Sequence, residues 1–114
     1  MLNAVGIDIS KGKTIVAVLR PLGEVVHSPF EVIHTDSGIR QLIQKLSKCE
    51  GETKIIMEHT GSYHESLARE LAAADFFVNA VNPKLIKDFG NNTLREVKSD
   101  KADSIKIARY GLDN

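Results

Sequence analysis

The sequence predicts an α/β domain built on a five-stranded sheet of mixed direction. Three observations carry this. The first thirty residues hold three β-branched runs separated by turn chemistry, the remainder alternates between helical and extended periodicity, and no stretch is long or apolar enough for a membrane span. With 114 residues the chain fits one domain that buries more than half of its unfolded surface, and 42% hydrophobic with 26% charged residues excludes a disordered or membrane-embedded class.

Residues Asn3 to Ile9 alternate, with Val5, Ile7 and Ile9 on one face and the less bulky Ala4, Gly6 and Asp8 on the other. Ser10 to Lys13 supplies a turn, Thr14 to Leu19 a second strand, and Arg20-Pro21-Leu22-Gly23 a type I turn before a third strand over Glu24 to Phe30. The period then changes. Asp36 is placed to cap a helix with Ile39, Leu42, Ile43 and Leu46 inward, and Lys54 to Met57 is a short strand ending at Glu58. Ser62-Tyr63-His64-Glu65 has the capping-box form ahead of Leu67, Ala68 and Leu71, and Phe76 to Val81 is the fifth strand. Pro83 opens a short helix that Gly90 closes, Asn91 to Lys98 reads as a loop, and from Asp100 a last helix turns Ala102, Ile105, Ala108 and Leu112 inward.

Four acidic residues in three separated segments, Asp8, Glu58, Asp100 and Asp103, carry most of the chemical information. Ligands of open α/β sheets bind beyond the carboxyl ends of the parallel strands, and Glu58 sits at such an end. Asp8 comes within reach of it if the first strand lies beside that of Glu58, while Asp100 and Asp103, three apart on a helix, share a face. Two carboxylates about 4 Å apart repel by roughly 4 kcal/mol at an effective dielectric near 20, and a hard divalent cation compensates this best. Mg²⁺, with Mn²⁺ as a substitute, is therefore the expected cofactor, and phosphodiester chemistry its natural use. Each residue also has a plainer reading: Asp8 as a turn former, Glu58 as a strand-end charge, Asp100 and Asp103 as an N-cap and its partner.

Net charge is zero, but from Pro83 to Tyr110 seven basic residues face four acidic ones, an excess of +3 that can draw a phosphate backbone or merely solvate a helix face. Candidate DNA contacts are Lys11 beside Asp8, the Thr60-Gly61-Ser62 helix start with its free backbone N–H groups, and Lys98 and Lys101. A capping box would satisfy those same N–H groups without a ligand. His59 is a candidate for proton transfer, although alternation points it away from Glu58, and Tyr63 stacks on a base or packs. Cys49, the single cysteine, reads as structural in a late helical turn. Met1 leads directly into a strand without a signal-peptide pattern, which predicts a cytoplasmic location and no membrane partner.

The segments VGIDISKGK, MEHTGSY and KSDKADSIKIARY resemble the three signatures of the N-terminal domain of the insertion-sequence-110 family of transposases, to which pilin gene-inverting proteins belong. The match is most specific at E-x-T-G-x-Y, from Glu58 to Tyr63, and at K-S-D-x-x-D, from Lys98 to Asp103. The resemblance implies a ribonuclease-H-like fold of the RuvC type over residues 1–114, with Asp8, Glu58, Asp100 and Asp103 as an Mg²⁺-binding, catalytic tetrad for DNA cleavage and strand transfer. It also implies a serine-bearing C-terminal domain absent from this chain, so that the chain is a fragment or truncated copy with weak activity alone. A homo-oligomer and an element-encoded guide RNA are implied for the full-length protein. The attacking group is then water, a DNA hydroxyl or that serine. Two other readings stand beside it: an actin-like or sugar-kinase ATPase fragment, because GIDISKGKTIVAV is similar to the first phosphate hairpin of that class, and a non-catalytic module that holds nucleic acid or partner subunits.

Overall fold

The computed structural model describes residues 2–10, 13–59, 62–90 and 100–114, with the backbone alone at Ser10, Ser62, Tyr63, Phe89, Gly90, Asp100, Lys101 and Ala102. Strands β1 (Leu2–Ser10), β2 (Lys13–Arg20) and β3 (Glu24–Val32) form an antiparallel meander. They are followed by α1 (Asp36–Ser47), β4 (Glu52–Glu58), α2 (Ser62–Ala73), β5 (Phe77–Val81), α3 (Pro83–Gly90) and α4 (Asp100–Asp113). The sheet order is β3-β2-β1-β4-β5, with β1, β4 and β5 mutually parallel. This is the expected mixed five-stranded sheet, and its central strand β1 pairs with β4 from Leu2 opposite Glu52 to Ile7 opposite Met57.

The pleat sends alternate residues to two different layers. On one face Val5, Ile7, Val16, Val18, Ile55 and Met57 pack beneath Leu42 and Leu46 of α1 and Leu67 and Leu71 of α2. Each such fully buried aliphatic side chain is worth about 1.5–3 kcal/mol, so this layer is the main source of stability. On the other face Ile56, Val81, Ile86 and Ile107 make a smaller cluster joined by Tyr110.

The contact of α4 with the sheet depends on small residues. A Cβ added at Gly6 would lie 2.1 Å from the Ser104 carbonyl oxygen and 2.4 Å from the Ala108 nitrogen, and one at Gly111 would lie 2.7 Å from Ile56 Cγ1. The α4 backbone thus rests directly on β1, where any side chain at position 6 would hold it off. Lys54 Nζ donates to the Gly111 carbonyl at 3.2 Å, tying the last turn of α4 to β4 and complementing its negative end.

Several local expectations are corrected. The buried stripe of α4 is Ser104, Ile107, Ala108 and Gly111, with Ile105 and Leu112 only half-buried, because close backbone approach and not side-chain bulk selects the inward face; Ala102 lies outside the described side chains. The turn at Pro21–Gly23 is not type I, since Leu22 takes a left-handed conformation with φ 69° and ψ 13°. Thr35, not Asp36, caps α1: its hydroxyl accepts from the Gly38 N–H at 3.0 Å, and Asp36 becomes the first helical residue. Strand β3 runs two residues further than expected, to Val32. The capping box at Ser62 and the loop at Asn91 to Lys98 lie outside the described side chains and residues respectively.

Candidate active site at the carboxyl end of the sheet

Asp8 lies near the carboxyl end of β1 on the face of Ala4 and Gly6, beneath α4, and is buried at 8% exposure. Gly6 pairs with Ile56 across the parallel β1–β4 register, so two residues further on Asp8 and Glu58 leave neighbouring strands on the same face. Glu58 also pairs with Val81, which places it between β1 and the end of β5. The proximity assumed from element order is thus a consequence of β1 and β4 being adjacent and parallel.

Helix α4 supplies the third carboxylate. Ser104 is pinned against Gly6, and Asp103 immediately before it is half-buried. The Glu58 carboxyl is pushed above its ordinary value, first by burial and then by the negative charge of Asp103, while Lys106 acts in the opposite sense. The charge of Asp103 on α4 thus acts on Glu58 at the end of β4. Asp100 opens α4 three residues before Asp103, but its side chain lies outside the described ones. Among the described residues no three of His, Cys, Asp and Glu form a set ready to hold a metal. The carboxylates at this end are hard oxygen donors, the kind that Mg²⁺ takes one or two at a time while keeping waters.

The neighbouring residues divide clearly. His59 is exposed, its Nε2 donates to the Ala80 carbonyl at 2.9 Å, and its ring meets that of the buried His64 edge-on at 4.8 Å. With its own N–H donating to the Val81 carbonyl at 2.9 Å, His59 fastens the end of β4 to β5 and does not turn toward Glu58. Cys49 lies just past the α1 cap at Lys48, where burial pushes its thiol up and so disfavours the reactive thiolate. Lys11, Thr60, Gly61 and Lys98 lie outside the described residues, as do the side chains of Ser62, Tyr63 and Lys101. In the sequence Lys106 counts only as one of the seven basic residues between Pro83 and Tyr110, and the seat formed by Gly6 with Ser104 and Ala108 is not evident. The sign of that seat in the sequence is the small-residue face of β1, Ala4 and Gly6.

The transposase family profile for insertion-sequence-110 DEDD enzymes matches residues 5–114. The chain belongs to this transposase family. Pilin gene-inverting proteins of Moraxella lacunata and Moraxella bovis are each 39% identical to it over 57 residues, which is 50% of this chain and 18% of theirs. Among solved structures, RuvC of Thermus thermophilus is similar with a TM-score of 0.67 at 14% identity, covering 96% of this chain and 97% of that one. The same protein in complex with a Holliday junction substrate gives 0.63 at 15% identity, covering 98% of each chain. The fold of this transposase-family domain is therefore the RuvC type of ribonuclease-H-like fold. Family membership decides against the ATPase reading. Among the described residues no helix is long and apolar enough to cross a membrane.

Proposed function

We propose that this chain is the metal-dependent nuclease domain of a transposase, cutting and transferring DNA strands at a site formed by Asp8, Glu58, Asp103 and Asp100. The observation that supports the reading is that Asp8 and Glu58 leave adjacent parallel strands on one face of the sheet, while the charge of Asp103, on the helix seated against Gly6, acts on Glu58. The donor set fits a hard divalent cation, because burial and mutual repulsion leave negative charge that such an ion neutralises. When bound, Mg²⁺ or Mn²⁺ would polarise the scissile phosphate and stabilise the departing oxygen.

The chain's own residues do the positioning. Asp8 and Glu58 are held by the sheet ladder, so their spacing follows the strand register and not loop conformation. Asp103 rides on α4, so the seat of that helix sets its distance from Glu58. DNA is the substrate on this reading, and the Holliday junction held by the similar RuvC supports a branched form of it. The stretch from Pro83 to Tyr110 carries a basic excess of +3, which would attract a phosphate backbone.

The test is a chimera in which this chain replaces the corresponding N-terminal segment of the Moraxella lacunata pilin gene-inverting protein, with inversion of the pilin segment as readout. Loss of partners that only orient a metal ligand already costs about 10- to 100-fold, so Asp8→Asn, Glu58→Gln and Asp103→Asn should each reduce inversion at least about a hundredfold with folding intact. Inversion that survives these substitutions would leave the domain as a non-catalytic nucleic-acid-binding and assembly module.

A further inference from the structure

Helix α4 has two flanks, and contacts identify both. Arg109 lies on the side of the β2–β3 turn, 3.9 Å from a Cβ built at Gly23. Ile107 and Tyr110 lie on the other side, against Ile56, Val81 and Ile86. Helical spacing puts Asp103 and Lys106, three residues apart, on the flank of Ile107 and Tyr110, toward β4 and β5. That is the side on which Glu58 ends β4 opposite Val81. Both Asp103 and Lys106 are half-buried on that flank.

We infer that Lys106 is a built-in counter-ion of the Glu58 and Asp103 carboxylates, which a divalent cation must displace, so that Lys106 sets the metal concentration at which the site loads. The inference rests on the metal-site reading above and adds to it a competitor supplied by the chain. Its electrostatic support is that the Glu58 carboxyl feels Asp103 and Lys106 in opposite senses. A positive charge beside paired carboxylates relieves their repulsion in the empty site and repels an arriving cation through the same coulombic interaction. Once metal takes the carboxylates, the displaced ammonium has a new anionic partner available in a DNA phosphate.

The experiment measures Mn²⁺ binding to the purified chain by calorimetry at fixed ionic strength, with thermal melts in EDTA to verify folding. Lys106→Met removes the charge at similar length and should tighten Mn²⁺ binding about three- to tenfold, a range discounted for solvent screening of a half-buried group. Lys106→Arg keeps the charge and should stay within about twofold of the parent. If the parent binds no Mn²⁺ but Lys106→Met does, the competitor role is upheld in its strongest form. Unchanged or weaker binding by a folded Lys106→Met, or equal tightening by Lys106→Arg, overturns the inference while leaving the metal site standing. No Mn²⁺ binding by any of the three overturns the metal-site reading and the inference together.

Discussion

The two faces of the sheet are built on opposite rules. Beneath α1 and α2, β1 offers Val5 and Ile7, large side chains that interdigitate with Leu42, Leu46, Leu67 and Leu71. Beneath α4 the same strand offers Ala4, Gly6 and Asp8, and the helix answers with Ser104, Ala108 and Gly111. The first face gains stability from buried area. The second gives up side-chain volume for a close backbone approach that fixes where Asp103 sits. One strand therefore separates holding the fold together from positioning the chemistry, by the parity of its residues.

The largest expected loss of stability comes from the bulky face. Leu67 is fully buried, and Leu67→Ala should cost about 2–5 kcal/mol in urea unfolding, while Mn²⁺ affinity of the folded fraction stays within about twofold of the parent. A matching loss of metal affinity would erase the division between the faces. Gly6→Ala should cost less, about 1–3 kcal/mol, because α4 has to lift off as a unit. Yet it should weaken Mn²⁺ binding at least about tenfold, like other disturbances of residues that orient metal ligands. A Gly6→Ala protein that binds metal normally would show that the seat is mere packing.

The smallest effect is one of pH, read in EDTA. The folded Glu58 carboxyl is raised above its ordinary value of 4.5, so above that pH the folded state holds its proton longer than the unfolded chain does. The group's contribution to stability consequently falls as pH rises from about 4.5 through its folded value, and below 4.5 it has none to lose. Glu58→Gln should therefore melt higher than the parent at pH 7 and alike at pH 4, with the order at pH 7 reversing in excess Mn²⁺, which stabilises only a protein that binds it. Equal melting of both proteins at pH 7 in EDTA would remove the electrostatic cost assigned to this face.

Much of this architecture was legible in the residues. Strand β1 announced itself by alternation, and Asp8 stood out as an acid inside an Ile-Asp-Ile run. Glu58 could be placed at a carboxyl end because an apolar strand stops at it. The inward stripe of α4 was misplaced because hydrophobic periodicity ranks positions by bulk, and so selected Ile105 and Leu112 over Ser104 and Gly111. Only the partner surface, a glycine on β1, makes smallness the deciding property, and a helix read in isolation does not contain that information. Leu22 carries no local sign of its left-handed backbone either, since such positions usually fall to glycine or asparagine. Lys106 reads only as part of the basic excess, because a lysine on a charged helix counts as solvated until the flank it occupies is known.

The meeting of Gly6 with Ser104 and Ala108 joins the first strand of this chain to its last helix. During synthesis, β1 through α2 can leave the ribosome and collapse around Val5, Ile7 and the α1 and α2 leucines while Asp103 is still in the exit tunnel. Contacts between such distant parts of a chain form late, because a long loop must close before they contribute anything. On the proposed reading, a nascent or prematurely terminated copy would thus fold its hydrophobic layer without completing the carboxylate site, and could not nick the DNA from which it was being expressed.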